Sequence, residues 1–263
     1  MKIAFIGIVK DGEEYIQRNI EFVRTLGQDI YIVENNSTDN TKNILKFLVQ
    51  NGTVKKVTTL DLDNTNALDL CKITELCKER VRRLAYIRQK GLESVLESGI
   101  PYDYICAIDL DFQSFDRDAF MDMVTYMENN QTVDGIFGMS YNNYNWIYDF
   151  GCVRPLYTLI PIAWKLRRYV KVDSAFSGFG VYRYSSIRKK NAKYDYENIN
   201  HIEHIHFNSH FDNLIVDTHF NPFYTIHPKQ DILLMIKLFI FISVVCILLY
   251  TYHHLRQVLA SYS

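Results

Sequence analysis

Two aspartates that follow an apolar stretch are the strongest candidates for metal chemistry in this sequence. Asp109 and Asp111 come directly after residues 104–108, whose apolar pattern predicts a buried strand. In an extended chain residues i and i+2 point the same way, so we expect both carboxylates to converge, where Mg²⁺ or Mn²⁺ would relieve their repulsion. The alternative is a pair of turn or N-cap aspartates. Asp61 and Asp63 have the same spacing but follow a more polar strand, and they rank second.

Polar side chains also end the second predicted strand, residues 29–36. The run from Ser37 to Thr41 is explained by a turn that leads into a helix N-cap. That explanation does not cover Glu34 and Asn35, which stand at the carboxyl end of a buried strand, where α/β sheets present ligand-binding groups. An acidic or amide group there could accept a hydrogen bond from a base N–H or a ribose hydroxyl.

An arginine falls on the apolar face of a long predicted helix, residues 75–98. At 100° per residue, Val81, Leu84 and Leu92 share one face, and Arg88 lies in the middle of it. A charge on a buried face needs a partner. That partner is either an internal carboxylate or a diphosphate, which a planar guanidinium binds well.

Six histidines lie within residues 201–227. His206 and His210 have the spacing of a helical metal pair, which makes a zinc site one interpretation of this His201–His227 cluster. Glu203 and His204 form a polar dyad ahead of apolar residues. A carboxylate at this position is a candidate general base.

The elements that must position these residues alternate between strand and helix in the first half of the chain. Apolar strands are predicted at 2–9, 29–36, 54–60 and 104–108, with amphipathic helices between them. This order indicates an α/β fold with a mainly parallel central sheet flanked by helices. The second half has shorter strands, and residues 185–200, with a basic cluster at 188–190, are predicted to be a surface loop.

The composition of the 263 residues excludes several classes of protein. With 48% hydrophobic and 22% charged residues the chain is neither disordered nor collagen-like, and a net charge of −1 gives no reason to expect a nucleic-acid partner. Five cysteines without a CxxC pair indicate reduced thiols in a cytosol-facing protein.

Six motifs in order resemble those of GT-A fold glycosyltransferases, and are similar to the family-2-like group and to related fungal capsule-type and large-DNA-virus enzymes. The resemblance covers residues 1–226. The motifs are VENNSTDNT (33–41), RLAYIRQ (83–89), DLD (109–111), WIYDFGCVR (146–154), AFSGFG (175–180), and IEH (202–204) with NP (221–222).

The resemblance implies transfer of a sugar from a nucleotide-diphosphate sugar, with a UDP-sugar expected first, to an acceptor hydroxyl on a glycan, protein or lipid. It implies Mn²⁺ or Mg²⁺ held by Asp109 and Asp111. The implied donor contacts are Glu34, Asn35, Asp39, Arg83, Arg88 and Asp109, and the implied acceptor-side residues are Tyr148, Ser177 and Gly178.

The chain departs from the family pattern at two places. Asn35 and Asn36 stand where acidic residues often occur, and Glu203-His204 stands where the wider family has Glu-Asp with the aspartate as catalytic base. The resemblance therefore leaves Glu203, His204 and Asp149 as candidate bases, in that order.

The C-terminal region predicts a membrane anchor. Residues 232–252 contain one charge, Lys237, and are long enough to cross a bilayer. We therefore expect a catalytic domain at residues 1–228, facing the cytosol, and a single C-terminal transmembrane helix. A buried core helix is the alternative for residues 232–252.

Two other classes of function fit parts of the pattern. One is a metal-dependent nucleotidyltransferase or hydrolase that uses the aspartate pair or the His201–His227 cluster. The other is a membrane-anchored, non-catalytic carbohydrate-binding protein.

Overall fold

Buried strands alternate with amphipathic helices through the first half of the protein, as the sequence predicts. The computed structural model describes residues 1–26, 29–62, 75–143, 147, 150–159, 162, 165–198 and 201–224. Its first elements are β1 (Ile3–Val9), α1 (Ile16–Arg24), β2 (Asp29–Asn35), α2 (Thr41–Gln50), β3 (Lys56–Leu60), α3 (Glu75–Leu96) and β4 (Tyr104–Asp109).

Shorter elements make up the second half. They are β5 (Phe112–Ser114), α4 (Arg117–Asn129), β6 (Gly135–Gly138), β7 (Tyr141–Asn142), β8 (Tyr169–Val172), β9 (Phe179–Arg183), α5 (Tyr184–Lys190), α6 (Glu203–Asn208), β10 (Leu214–Asp217) and β11 (Phe223–Tyr224). Two short 3₁₀ helices, Phe150–Cys152 and Leu156–Thr158, lie between β7 and β8.

The main sheet has eight strands in the order β3-β2-β1-β4-β9-β6-β10-β8. The pairs β2–β3, β1–β2, β1–β4 and β6–β10 are parallel, while β9 runs antiparallel to both β4 and β6, and β8 antiparallel to β10. A second sheet has the order β5-β11-β7. The predicted mainly parallel sheet is therefore confirmed, and its parallel half carries β1, β2 and β4 side by side.

Helices cover both faces of the main sheet, which explains why β1 is apolar along almost its whole length. One apolar core contains Ile3 and Phe5 of β1 with side chains from α1, α2 and α4, and the other contains Ala4 and Ile6 with side chains from α3, α5 and α6. A strand between two cores must be apolar on both faces.

The predicted loop at 185–200 is wrong in its first part, because residues 184–190 form helix α5. Ile187 is buried and anchors this short helix in the core. The basic cluster, Arg188 to Lys190, occupies the last turn, where cations interact favourably with the helix dipole. The helix ends at Asn191, which adopts a left-handed conformation with φ of 48°.

The chain divides into a first unit, Met1–Tyr224, and a second, Thr225–Ser263, which lies outside the described residues. The predicted helix at 232–252 falls in that second unit and stays a prediction. Within the part of the chain that the structure describes, no helix is both long and apolar enough to cross a bilayer.

The loop before β9 makes a close approach to the end of β4. Gly178 has a φ of 79°, and its carbonyl accepts a hydrogen bond from the Asp109 N–H at 2.8 Å. The Tyr224 hydroxyl donates to the Asp109 carbonyl at 3.2 Å. A Cβ on Gly178 would lie 2.2 Å from that hydroxyl oxygen, so glycine is required at this position.

We predict that Gly178→Ala destabilises the protein more than Gly99→Ala. Gly99 also has a positive φ, 66°, but a Cβ there would meet no heavy atom within 4 Å among the described residues. The control should therefore cost about 1–2 kcal/mol for backbone conformation alone, and Gly178→Ala about 1–3 kcal/mol more for steric overlap. Urea unfolding measures both, and equal losses would contradict the close packing of Gly178 on Tyr224.

Candidate active site

The carboxyl ends of three parallel strands meet at one edge of the main sheet. In the strand register Val9 of β1 lies beside Glu34 of β2, and Ile8 lies beside Asp109 of β4. Glu34, Asn35 and Asp109 therefore share this edge. Open α/β sheets bind ligands at this edge.

The two aspartates of the DLD motif do not lie on one extended strand, because Asp109 ends a strand and Asp111 lies in the turn that follows. β4 ends at Asp109, and the chain turns at Leu110 and Asp111 before β5 begins. Our extended-chain argument for their convergence is therefore wrong in its premise. Leu110 is buried, whereas Asp111 is exposed.

The two carboxylates nevertheless act on a common neighbour, the hydroxyl of Tyr15. Burial raises the pKa of Tyr15, and the negative charges of Asp111, Asp109, Asp39 and Asp11 raise it further. The negative charges of four carboxylates therefore all act on this phenol.

Asp39 ties together the loops that follow β1 and β2. Its Oδ2 accepts a hydrogen bond from the Glu13 N–H and its Oδ1 accepts one from the Thr41 N–H, both at 3.0 Å. Desolvation opposes ionisation, but these hydrogen bonds and one from the Thr41 hydroxyl lower the pKa of Asp39 below its ordinary value. Since both oxygens are engaged, the structure gives Asp39 a loop-holding role.

Glu34 and Asn35 are both buried at the end of β2. The Glu34 Oε1 accepts from the Ser37 N–H at 2.6 Å, while its Oε2 has no hydrogen-bond partner among the described residues. The Asn35 Oδ1 accepts from the Leu62 N–H at 3.1 Å. This backbone donor fixes the orientation of the Asn35 amide, because only the oxygen can accept.

Arg88 is buried at 7% exposure and pairs with two carboxylates. Its Nη2 donates to the Asp109 Oδ1 at 3.1 Å, and its Nε donates to the Glu203 Oε1 at 3.3 Å. Burial alone would lower the pKa of Arg88, but Asp109 and then Glu203 raise it well above the ordinary value. The predicted burial of Arg88 is confirmed, and in this structure its partners are internal carboxylates.

His204 is buried at 1% exposure and stacks on Phe176, with ring centroids 3.5 Å apart. Phe176 in turn lies 4.9 Å beneath the Arg88 guanidinium. Burial, and then the charge of Arg88, lower the pKa of His204 well below its ordinary value. The imidazole is therefore neutral at pH 7, and within the part of the chain that the structure describes its Nε2 has no hydrogen-bond partner.

Ser177 and Gly178 lie beside the aspartates, on the loop before β9. The Ser177 Oγ accepts from the Ser140 N–H at 3.1 Å, and the Ser140 hydroxyl donates to the Ser177 carbonyl. These contacts join the loop to the segment after β6, and the hydrogen bond from the Asp109 N–H to the Gly178 carbonyl joins it to the end of β4.

Three predicted site residues remain, Arg83, Tyr148 and Asp149. Arg83 is half-buried on α3, five residues before Arg88 and so about 140° around the helix from it. Tyr148 and Asp149 lie outside the described residues.

Asp109 and Asp111 suit a divalent ion that a substrate helps to bind. Among the residues that the structure describes, no three His, Cys, Asp or Glu side chains are grouped to hold a metal, and this includes the described histidines of the C-terminal cluster. Mg²⁺ usually keeps several waters and binds through one or two carboxylates plus substrate phosphates. Two hard carboxylates at this edge fit that pattern.

Two further residues of this region, Tyr15 and Asn19, belong to none of the motifs identified in the sequence. Asn19 is buried between Ile16 and Ile20 on α1. A polar residue on an otherwise apolar helix face was the available signal, as it was for Arg88.

Comparison with known proteins gives matches by structure. No family model matches the sequence, and no curated protein matches it. S. aureus TarS in complex with UDP aligns with a TM-score of 0.53 at 14% identity, over 87% of this chain and 62% of the TarS chain.

Two further solved structures align over similar lengths. The mannosyltransferase PcManGT of Pyrobaculum calidifontis, in complex with GDP-Man and Mn²⁺, has a TM-score of 0.55 at 10% identity, over 87% of this chain and 58% of that chain. Glucosyl-3-phosphoglycerate synthase of Mycobacterium tuberculosis, with Mg²⁺ and UDP, has a TM-score of 0.50 at 12% identity, over 88% of this chain and 74% of that chain.

These likenesses establish the fold. The α/β architecture with a mainly parallel sheet is the GT-A architecture of these neighbours, as the sequence predicted. This chain spans about three fifths of the TarS and PcManGT chains. The narrower likeness to the fungal capsule-type and large-DNA-virus group stays a prediction.

We predict that His204→Phe removes a pH dependence from the stability of the protein. The pKa of folded His204 is depressed below 6.5, so as the pH falls below that value the unfolded chain binds a proton that the folded chain does not. The wild type should lose up to about 1.4 kcal/mol per pH unit relative to His204→Phe, which retains a ring on Phe176. Urea midpoints from about pH 7.5 to about pH 5 measure this, and parallel curves would contradict it.

Proposed function

We propose that the protein is a metal-assisted glycosyltransferase that moves a sugar from a nucleotide-diphosphate sugar to an acceptor hydroxyl. The observation that carries this is the placement of Asp109 and Asp111 at the sheet edge that also holds Glu34 and Asn35. The fold supports it, because solved structures with this architecture hold UDP or GDP-Man, and Mn²⁺ or Mg²⁺.

The residues at the edge divide into groups that bind the donor and groups that hold the binding groups in place. Asp109 and Asp111 hold Mn²⁺ or Mg²⁺, which when bound neutralises negative charge on the leaving diphosphate. Glu34 and Asn35 face the nucleoside. Arg88 holds Asp109 through its hydrogen bond. This role replaces the direct contact with the donor that the resemblance implies for Arg88.

Glu203 is the best candidate for the base that takes the acceptor proton. His204 is a poor base, because burial and the Arg88 charge keep its pKa well below its ordinary value. Glu203 has one oxygen hydrogen-bonded to Arg88, and its carboxylate lies on the same guanidinium as Asp109. That shared partner supports a base beside the proposed metal site.

The proposal for the substrates and the location rests on the sequence resemblance and on the C-terminal apolar stretch. A UDP-sugar is the leading donor, and the acceptor is a glycan, a glycoprotein or a glycolipid. The apolar stretch at 232–252 anchors the protein to a membrane, with the catalytic domain facing the cytosol.

We predict that one nucleotide stabilises the full-length protein in a metal-dependent way. Thermal unfolding is measured with UDP, GDP or dTDP, each with Mn²⁺ or EDTA. At about a hundredfold above Kd the gain is about 2.7 kcal/mol. Asp111→Asn should abolish the gain because it removes a metal ligand.

Asp118→Asn is the matched control, since Asp118 is an exposed aspartate on α4 away from the turn at 110–111. It should leave the gain unchanged. Absence of a shift with every nucleotide would contradict the donor site. A shift that survives Asp111→Asn would favour the non-catalytic binding protein over the enzyme.

We also predict that Glu203→Gln retains nucleotide and metal binding but slows the reaction by about 10²–10⁴-fold. Glutamine keeps an oxygen that can accept from Arg88, and loses the basic carboxylate. Release of free sugar from the donor, with water as acceptor, measures the rate. Glu93→Gln, which alters a half-buried carboxylate bonded to Gln89 and Lys90, is the control. Equal rates for Glu203→Gln and wild type would exclude Glu203 as the base.

A further inference from the structure

Asn19 is a buried amide on the apolar face of α1. Its exposure is 1%, and its neighbours on that face are Ile16, Ile20 and Val23. An amide buried without hydrogen bonds costs free energy, and any apolar residue would suit this position better for packing alone. The contacts of the amide therefore explain why asparagine occupies it.

Those contacts lie on either side of Asp111. The Asn19 Nδ2 donates to the Leu110 carbonyl at 2.6 Å and to the Phe112 carbonyl at 2.7 Å. The Oδ1 accepts from the Arg18 Nε at 3.0 Å. Because arginine can only donate, this bond sets which amide atom is oxygen, and the NH₂ group faces the turn.

The turn that carries Asp111 lies between two strands, and two contacts outside the strand ladders hold it in place. β4 ends at Asp109 and β5 begins at Phe112. One anchor is the buried Leu110 side chain, which packs against Gly7 so closely that a Cβ there would lie 2.3 Å from the Leu110 Cδ1. The other is the Asn19 amide, which hydrogen-bonds to the carbonyls of the residues before and after Asp111.

We propose that Asn19 is a positioning residue for the metal-binding carboxylate of Asp111. The inference rests on the proposed function, since it assumes that Asp111 binds a divalent ion. By holding the carbonyls of Leu110 and Phe112, Asn19 restricts the backbone from which the Asp111 side chain extends. Hydrogen bonds that orient a metal ligand are worth about 10–100-fold in metal affinity.

The test is the affinity of the full-length protein for Mn²⁺ alone, from the decrease in the electron paramagnetic resonance signal of the free ion. Asn19→Asp keeps the size of the side chain and an acceptor for Arg18, but sets a carboxylate against two carbonyl oxygens. We expect it to weaken Mn²⁺ binding by about 10–100-fold. Asp111→Asn defines the binding that belongs to this site.

Asn208→Asp is the matched control. Asn208 is fully buried, and its Nδ2 donates to the Ala175 carbonyl at 2.8 Å and to the Ser174 hydroxyl at 3.0 Å. It should lose stability and keep its Mn²⁺ affinity. Equal weakening in both variants would mean a general loosening of the core and would overturn the inference.

A second variant and a second measurement guard against misfolding. Asn19→Ala removes both donors without adding a charge, and should speed hydrogen exchange at residues 110–113 relative to β1. Unchanged Mn²⁺ affinity or unchanged hydrogen exchange in a folded Asn19 variant overturns this inference but leaves the proposed function intact. If the wild type shows no Asp111-dependent binding of Mn²⁺, either alone or with UDP present, the metal assignment fails and the inference fails with it.

Discussion

Arg88 is a buried cation that links two carboxylates of the candidate active site. It lies on α3 and hydrogen-bonds to Asp109 at the end of β4 and to Glu203 at the start of α6. Neither carboxylate could be buried cheaply alone, and removing one partner of a buried ion pair costs about 3–5 kcal/mol. The three elements must therefore come together with their charges matched, so the fold and the site are specified by the same interaction.

The aromatic residues around Arg88 introduce no second charge that would compete with its two carboxylate partners. Phe176 offers a ring face beneath the guanidinium, and His204 stacks on the other side of Phe176. Since His204 is held neutral, it adds no second positive charge beside the arginine. Of the two candidate bases that the structure describes, the proposal therefore favours Glu203 over the neutral His204.

The sequence predicted what depends on local periodicity and little of what depends on long-range contacts. The individual strands and helices and the burial of Arg88 follow from patterns within one element. The parallel sheet follows from the order of those elements along the chain. The partners of Arg88 are 21 and 115 residues away in sequence, so no local pattern could identify them. The turn after Asp109 and helix α5 were missed for a related reason, because a buried Leu110 and a buried Ile187 fix them through tertiary packing.

The residues of one motif can also serve unlike purposes, which the sequence alone does not separate. Asp39 uses both carboxylate oxygens to join two loops, whereas the buried Oε2 of Glu34, five residues earlier, has no hydrogen-bond partner among the described residues. Native proteins leave few buried polar atoms unsatisfied, and those they leave often lie at functional sites. That this oxygen belongs to a residue of the proposed donor site is a physical reason, independent of the motifs, to look for a ligand there.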